Sequence, residues 1–505
     1  MSTPETGPRI YRGLNRRERA GWILGVTAPQ ALTCVVLALP VLMALSQGRF
    51  RAALVLLVVC GSAATLVVTP VRGRPAVRWL IHLLLHQLGA RTGWSRWQSA
   101  ASAGQAVRHG EPDLPGVLTR VAMPDGPPFR HHGRICLLHD TGEGRWGATA
   151  RLTHTGVGML TDEHRARLAA RLGNLLVGIG HRELVDRISL YVRTVPDDGT
   201  EYDLWRARHH TPDAPPLAVA ATDELTVTVG KVSVQHEIFV TVSGPETALR
   251  KPATTAGGGV EGRAHVLYRA LDGLEEPLKA LGVDSVRWLD GHGVAHALRT
   301  GFNPASQAVL TAENLRGEHA GALPLAAAGP TTAPSPSARS YTHDGFTSVT
   351  YSVLMPEAGT VFGSLGPLLA VRTPGERRAL AIHYEVLDAA RSSRAVRAQR
   401  HRSGIVADLK RSRGFTTTAT DRRDHTGAQA QEHAVAGGHA LVRYAVVASV
   451  TVPSHWNVED HAARLETDVA GRFPLLRLEL AQDTAFVAAC LPVGVGLPRI
   501  RGGLR

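Results

Sequence analysis

The sequence predicts an α+β protein in which an N-terminal two-helix transmembrane hairpin precedes a cytoplasmic body of two similar halves. Three observations lead to this fold class: two long uncharged apolar stretches, arginines clustered outside them, and strand-like and helix-like segments that alternate twice along the rest of the chain. The predicted segments are a cytoplasmic N-terminal segment at 1–19, the transmembrane hairpin at 20–72, an amphipathic linker at 73–110, a first cytoplasmic α+β domain at 111–330, a linker at 331–338, and a second cytoplasmic α+β domain with a basic helical excursion at 339–505.

The hairpin is predicted from two apolar stretches, one from Gly21 to Leu45 and one from Ala52 to Val71, neither of which contains a charged residue. A helix needs about 20 mostly apolar residues to cross roughly 30 Å of hydrocarbon, and both stretches are long enough. Two alternatives stay open. A cleaved secretory signal would be shorter and would lack an immediate second span, and two buried core helices of a soluble domain would have a similar composition.

The orientation of the hairpin follows from its flanking arginines, because basic residues near a span resist translocation. These arginines are Arg9, Arg12, Arg16, Arg17 and Arg19 before the first stretch, and Arg72, Arg74, Arg78, Arg91 and Arg96 after the second. The turn between the stretches carries only Arg49 and Arg51. We therefore expect a cell-membrane protein with two spans and with both termini in the cytoplasm.

The composition is basic and rich in arginine. The formal net charge is +13, and the only lysines are Lys231, Lys251, Lys279 and Lys410. Such a preference for arginine is typical of high-GC genomes and suggests an actinobacterial source. The positive charge suits an anionic membrane leaflet, an acidic partner or a nucleic acid. The four cysteines, Cys34, Cys60, Cys136 and Cys490, form no close pair, which predicts small buried apolar side chains.

The linker is predicted to contain an amphipathic helix from Ala76 to Arg91. Arg78, His82 and His86 recur at helical spacing, and leucines occupy other positions of the same turns. This helix either lies at the level of the lipid headgroups or packs as an ordinary core helix on the body.

The two halves of the body are predicted from strand-like alternation interrupted by helical segments. The first half contains predicted strands at 134–139, 144–152, 187–195 and 237–243 and predicted helices at 161–179 and 201–220. The second half contains predicted strands at 347–354, 379–386, 441–452 and 475–480, a short helix near 365, a long helical region after 386 and a helix at 458–471. This order favours two α+β halves of the split βαβ, or ferredoxin-like, type.

Two glycine-rich segments match nucleotide-binding motifs only in part. Residues 142–147 match GxGxxG, but the glycines join two predicted strands and not a strand and a helix, so a hairpin turn is expected. Residues 257–264 have the glycine spacing of a phosphate loop. There Arg263 replaces the lysine that reaches the phosphates, and Ala264 lacks the hydroxyl that holds magnesium, so a flexible loop before a helix is expected.

Histidines and carboxylates give no recognisable catalytic or metal-ligating pattern. The pair His292 and His296 lacks the glutamate and the third ligand of a zinc-protease site, and His131-His132 and His209-His210 lie in polar, loop-like sequence. We therefore predict surface histidines. Adjacent carboxylates such as Glu275-Glu276 predict a solvated surface. The sequence predicts no catalytic residue, no cofactor and no metal ion.

The densest positive charge lies between residues 391 and 423. The candidate contacts to phosphate, lipid or a partner are Arg391, Arg394, Arg397, Arg400 and Arg402. A solvated helix, a partner-docking surface and a surface for anionic lipid or nucleic acid all fit this pattern. Nucleic acid is not favoured, because the segment contains almost no aromatic residues on which bases could stack.

Several motifs, in order along nearly the whole chain, carry a family resemblance. They are YRG at 11–13, RRERAGWILGVT at 16–27, GRPA at 73–76, DLPG at 113–116, DGFTSVTY at 344–351 and QDTAFVAACLPVG at 482–494. With them the chain resembles a group of actinobacterial two-pass integral membrane proteins encoded beside conjugation-type secretion ATPases. The hairpin resembles the small two-pass subunit of type IV secretion machines, and the body resembles the non-catalytic N-terminal region of their assembly ATPase.

The resemblance implies a non-catalytic, membrane-anchored scaffold that docks a secretion or conjugation ATPase made by another gene, within an oligomeric complex. Other membrane subunits are implied as partners, and Gly21, Gly25, Gly61, Ser62, Ala63 and Ala64 offer small-residue faces for helix packing. A structural component of type VII secretion, of the EccE type, is the alternative within the same class. A membrane-anchored enzyme and a DNA-contacting coupling factor are alternatives from other classes.

Overall fold

The computed structural model describes residues 10–11, 28–71, 74–108, 110–154, 156, 160–181, 184–196, 200–209, 211, 213–229, 234–316, 322–356, 359–361, 363–397 and 419–496. The chain is α+β, with helices and antiparallel sheets. It divides into two compact units. The sheet unit comprises Met1–Asn15, Ser95–Ser393 and Ala434–Leu497, and the helical unit comprises Arg16–Trp94, Arg394–His433 and Pro498–Arg505.

The secondary structure elements are numbered in chain order. The strands are β1 (Ile10–Tyr11), β2 (Pro70–Val71), β3 (Arg74–Pro75), β4 (Trp97–Gln98), β5 (Val121–Ala122), β6 (Asp125–Pro128), β7 (Arg134–Asp140), β8 (Arg145–His154), β9 (Arg187–Pro196), β10 (Val234–Pro245), β11 (Val283–Trp288), β12 (Thr332–Ala333), β13 (Tyr341–His343), β14 (Phe346–Val353), β15 (Thr360–Val361), β16 (Arg377–Leu387), β17 (Leu441–Pro453) and β18 (Leu475–Arg477). The α-helices are α1 (Ala28–Ser46), α2 (Phe50–Val68), α3 (Ala76–Thr92), α4 (Asp162–His181), α5 (Thr200–His209), α6 (Pro216–Val229), α7 (Glu246–Thr255), α8 (Gly259–Lys279), α9 (Gly291–Phe302), α10 (Ser306–Arg316), α11 (389–397), α12 (Ala419–Ala436), α13 (Val458–Asp468) and α14 (Gln482–Cys490).

Two apolar helices begin the helical unit. The helix α2 has 19 residues and is long and apolar enough to cross a membrane, and among its side chains only Ala53 is buried within the protein. The helix α1 also contains an apolar stretch, Gln30–Ser46, which is shorter than α2. The two pack along each other, and Gln30 Nε2 donates a hydrogen bond to the carbonyl oxygen of Val67 at 2.7 Å. The predicted linker helix is present as α3.

Within the part of the chain that the structure describes, twelve strands of the sheet unit form one continuous antiparallel sheet with the main order β13-β14-β17-β16-β9-β10-β8-β7-β5. The strands β11 and β18 extend it at the sides of β8 and β14, and β6 pairs with β7. The same local order therefore occurs twice. We call β8, β9, β10 and β11 the first repeat, with order β11-β8-β10-β9, and β14, β16, β17 and β18 the second repeat, with order β18-β14-β17-β16.

The two repeats join through their equivalent strands β9 and β16. These strands pair antiparallel from Arg187 opposite Glu385 to Arg193 opposite Ala379. Without this pairing, β9 and β16 would each be an edge strand with a row of N–H and C=O groups that lack hydrogen-bond partners. The pairing provides partners for both rows. The halves predicted from the sequence are thus parts of a single sheet, and their predicted boundary at 331–338 does not separate two sheets.

Helices cover both faces of the sheet. On one face, α9 and α14 pack over strands of both repeats around Tyr191, Phe239 and Ala381. On the other face, α4, α7 and α8 cover the first repeat and α13 covers the second. Alternation along β16 places Ala379 and Ala381 on the first face and Leu380 on the second, as the two-residue period of a strand requires.

The strands predicted from the sequence are present, mostly within two residues of the expected bounds, whereas several helices differ. The helix expected at 201–220 is split into α5 and α6. Pro215 precedes α6 and Pro216 begins it, and a proline lacks the N–H with which a helix would continue from the preceding turn. The sequence pattern does not predict α7, α9, α10 or α14. The start of α9 carries an ordinary signal, since Asp290 accepts a hydrogen bond from the Gly293 backbone N–H at 2.8 Å.

Two glycines give a matched stability test of this packing. An added Cβ at Gly244 in β10 would lie 1.8 Å from the carbonyl oxygen of Leu184, whereas one at Gly173 in α4 would meet nothing within 4 Å. We expect Gly244→Ala to lower the free energy of unfolding by about 1–3 kcal/mol through steric overlap. Gly173→Ala should raise it by about 0.5–1 kcal/mol through helix propensity. Urea denaturation of the detergent-solubilised chain measures both, and equal effects would contradict the close contact between β10 and Leu184.

Candidate functional site

The basic cluster predicted from the sequence lies partly on α11. Arg391, Arg394 and Arg397 are exposed at a spacing of three residues, while Ser392 and Val396 are buried. The Arg391 backbone N–H donates to Asp388 Oδ1 at 2.6 Å, and its Nε lies 3.2 Å from Asp388 Oδ2. Arg400 and Arg402 lie outside the described residues, so the structure brings three of the five predicted contacts onto one described helix.

The four residues predicted at the ends of the two membrane stretches can be compared with the ends of α1 and α2. Gly21 lies outside the described residues, Leu45 is exposed in α1, Ala52 is exposed in α2, and Val71 ends the short strand β2. The helix α2 itself begins at Phe50 and ends at Val68.

Neither glycine-rich segment forms a nucleotide-binding loop. The segment 142–147 covers part of the expected turn between β7 and β8 and the first residues of β8. Asp140 Oδ1 accepts the Gly142 backbone N–H at 2.9 Å. In the second segment, Arg263 Nη2 lies 2.7 Å from Glu246 Oε1, and its guanidinium lies over the Trp146 ring. Its positive charge is therefore already paired on the body surface, and Ala264 is fully buried in α8.

The sequence predicts four buried cysteines. The two in the sheet unit, Cys136 and Cys490, are buried, whereas Cys34 and Cys60 are half-buried. Burial raises the pKa of the Cys136 thiol and also that of the Cys490 thiol. Since the thiolate is the reactive form, both side chains act as small apolar groups at neutral pH.

A layer of buried polar side chains lies between the sheet and the helices α9 and α14. Most of these groups are directed at backbone carbonyls near the C-terminal ends of the two helices, which a helix leaves without an intrahelical partner. The members of this layer are Thr149, Ser189, Tyr191, Arg193, Glu237, Thr241, Thr300, His343, Arg377 and His383.

The second half of the chain caps the C-terminus of α9. Arg377 Nη1 donates a hydrogen bond to the carbonyl oxygen of Thr300. His343 Nδ1 donates to the carbonyl oxygen of Phe302 at 2.5 Å, and the other nitrogen of the ring, Nε2, lies 2.9 Å from the Ser348 hydroxyl. A cation near a helix C-terminus also interacts favourably with the helix dipole.

The first half in turn caps the end of α14 and the residues after it. Arg193 Nη1 donates to the carbonyl oxygen of Cys490 at 3.3 Å. The hydroxyls of Thr149 and Thr241 donate to the carbonyl oxygen of Pro492 at 2.6 and 2.8 Å. Each half thus supplies the caps for a helix of the other. We call this exchange the reciprocal clasp, defined by Thr149, Arg193, Thr241, His343 and Arg377.

A carboxylate offsets part of the positive charge at the centre of the clasp. Arg193 and Glu237 are cross-strand neighbours on β9 and β10, and Arg193 Nη2 lies 2.7 Å from Glu237 Oε2. Burial alone would raise the pKa of Glu237, but the charges of Arg193, Arg151 and Arg377 lower it below its usual range. Glu237 is therefore ionised at neutral pH.

A second buried network fixes the opposite face of the second repeat. Arg378 Nε lies 2.6 Å from Glu376 Oε1, and Arg378 Nη1 lies 2.8 Å from Asp468 Oδ2 on α13. His461 Nδ1 completes the network at 2.6 Å from Glu376 Oε2. All these charges have partners within the fold, which makes the network structural.

The surface location expected for His131-His132 is wrong for His132. The side chain of His132 is 4 % exposed, and its Nε2 lies 2.8 Å from Oε1 of Glu275, which is itself only 12 % exposed. Local sequence patterns do not predict this contact, because the two residues lie 143 positions apart. For the same reason the expectation of a solvated Glu275 is wrong.

No family model matches the chain. No curated protein matches it either.

Proposed function

We propose that this chain is a membrane-anchored, non-catalytic scaffold subunit of a bacterial secretion or conjugation apparatus, and that it docks a separately encoded ATPase at the inner membrane. The observation that carries the proposal is the combination of two apolar helices, α1 and α2, with a separate sheet unit built from two repeats of the same strand order.

The helix pair supports the anchor. The apolar side chains of α1 and α2 are largely exposed, Leu32 at 66 % and Val58 at 65 % for example. Exposed leucine and valine along two neighbouring helices would be costly in water and favourable in hydrocarbon. We propose that both helices span the membrane and that the arginine flanks hold both termini in the cytoplasm.

The strand order supports a ferredoxin-like identity for each repeat. In each repeat the first and second strands are separated by the third, and the fourth lies beside the first, with every neighbouring pair antiparallel. In a split βαβ unit, the first and second strands are not neighbours, and a later strand pairs between them. We therefore propose two ferredoxin-like repeats joined edge to edge.

The exposed arginines of α11 support contact with an anionic surface. The three side chains lie at successive helical positions on the exposed side of α11. We propose anionic lipid headgroups or an acidic face of the ATPase as their partner.

A pulldown tests the scaffold role. The chain carries an affinity tag, is solubilised in mild detergent from membranes of its native host, and is recovered with its bound proteins for mass spectrometry. We expect a hexamer-forming secretion ATPase and further membrane subunits in the recovered material. An unrelated two-span membrane protein with the same tag is the control. Recovery of no such ATPase from cells that make one would overturn the proposal.

A further inference from the structure

We propose that His131, His132 and Glu275 form a binding site for a divalent first-row transition ion such as Zn²⁺, a site independent of the scaffold role. One potential ligand atom from each of these residues lies within 4.8 Å of the other two. Among the described residues this is the one cluster of three or more such side chains. Imidazole nitrogens and a carboxylate oxygen are the ligands that zinc takes in sites with three protein ligands.

The spacing of the cluster suits a metal ion with little rearrangement. Zinc binds nitrogen and oxygen at about 2.0–2.2 Å, which places tetrahedral ligand atoms about 3.4 Å apart. The distance from His132 Nε2 to Glu275 Oε1 is 2.8 Å, and the remaining distances extend up to 4.8 Å. Small rotations of the three side chains therefore reach the required distances, with the ion replacing the proton shared by His132 and Glu275.

A buried tryptophan, Trp288, also contacts the carboxylate of the cluster. Trp288 is 2 % exposed, and its indole Nε1 donates to Glu275 Oε1 at 2.9 Å. A buried donor that orients a ligating carboxylate is a common second partner of a metal site, and it leaves Oε2 available.

The turn that carries both histidines is tied to the same helix at a second point. Arg130, at the start of the turn, has a φ of 49°, an uncommon conformation for a residue other than glycine. Its guanidinium forms an ion pair with Asp272, three residues before Glu275 on α8. Phe129 stacks on the His132 ring with centroids 6.0 Å apart. Backbone conformation, ion pair and ring contact together hold the histidines beside Glu275.

The site is open on one side. His131 is exposed, whereas the side chain of His132 is 4 % exposed. The inner ligands are thus fixed by packing, and the outer ligand is accessible to solvent. Three protein ligands and an open position allow water to complete the coordination of the ion.

Metal titration of the full chain in detergent tests the proposal. The protein carries a tag without histidine and is stripped with a chelator, and Zn²⁺ is added in competition with a chromophoric chelator. Co²⁺ serves as a second probe because its visible absorption reports the ligand geometry. We expect one Zn²⁺ bound per chain, with affinity reduced at least 10-fold by His131→Ala and by Glu275→Gln.

Two variants on α8 are matched controls. His265→Ala removes an exposed histidine, and Glu276→Gln changes the carboxylate next to Glu275, which is paired with Lys279 instead. Both should bind Zn²⁺ as the unchanged protein does. Because His131 is exposed, its substitution should leave the circular dichroism spectrum unchanged. Absence of saturable binding, or unchanged affinity in His131→Ala, would overturn the proposal, and neither outcome bears on the ATPase pulldown.

Discussion

Glu237→Gln is expected to lower the free energy of unfolding by about 3–5 kcal/mol, because it leaves buried arginine charge without its carboxylate. Arg193 is fully buried and contacts Glu237 at 2.7 Å, and Arg377 lies in the same layer at 4 % exposure. Without the negative charge of Glu237, nothing offsets the repulsion between Arg193 and Arg377 in a site that water does not reach. Urea denaturation of the detergent-solubilised chain, followed by tryptophan fluorescence, measures the loss.

Two further variants show whether charge is the cause. Glu261→Gln, on the exposed first turn of α8, should change the free energy of unfolding by less than about 0.5 kcal/mol. The double variant Arg193→Met with Glu237→Leu removes both charges and should recover at least half of the loss, because a buried ion pair can be replaced by apolar groups at little cost. A Glu237→Gln protein as stable as the unchanged one would refute the proposed charge balance.

Acidification is expected to destabilise the sheet unit from about pH 6.5 downwards. Burial lowers the pKa of His343 to about 3 and that of His383 to about 4. In the unfolded chain both histidines titrate near pH 6.5, so below that pH the unfolded state binds more protons than the folded state. The stability is fully present above pH 6.5 and declines by about 1.4 kcal/mol for each pH unit and each histidine, on the order of 5 kcal/mol in total at pH 4.5.

The hydrogen bonds explain why these rings resist protonation. His383 Nε2 lies 3.0 Å from the carbonyl oxygen of Ala488 and donates to it, so Nδ1 accepts from the Ser189 hydroxyl at 2.9 Å. A second ring proton would have no acceptor at Ser189 unless that hydroxyl reorients, and the added charge would be buried.

The pH series has its own controls. His383→Gln should lower stability at pH 7.5 and yet make the acid dependence shallower, by about 1.4 kcal/mol per pH unit. Gly173→Ala on α4 changes no titrating group and should leave the slope unchanged. Unfolding free energies that stay constant between pH 6.5 and 4.5 would show that the rings are not held neutral.

Local sequence patterns predict most strands of the sheet unit, because alternation and turn residues act within a few positions. The strand β9 illustrates the limit. Its alternation correctly predicts a strand, but any local rule assigns Arg193 to the solvent side, whereas the structure buries it against Glu237 and the end of α14. The pairing of β9 with β16 depends on residues nearly 200 positions apart and leaves no local signal.

The same limit applies to the proposed metal site. His131 and His132 are adjacent in the sequence, but the third ligand lies on α8, and the motif rules that exclude a zinc site consider nearby residues only. The segment 482–494 contributes to the family resemblance but does not predict a helix. The helix α14 has only nine residues, and their sequence carries little helical periodicity. Its partners, the buried hydroxyls and cations of the sheet, are provided by the distant strands.

The reciprocal clasp has a consequence for folding during translation. Thr149 must meet Pro492, which lies 343 positions later. The apolar helices α1 and α2 leave the ribosome before the strands of the twelve-stranded sheet, and under the proposed anchoring they would enter the membrane while that sheet is still being made. The sheet unit cannot close until nearly its last strand and helix have emerged, so β9 waits with an open edge during much of synthesis. With the membrane anchor proposed above, the nascent chain would be tethered to the membrane before the sheet unit folds.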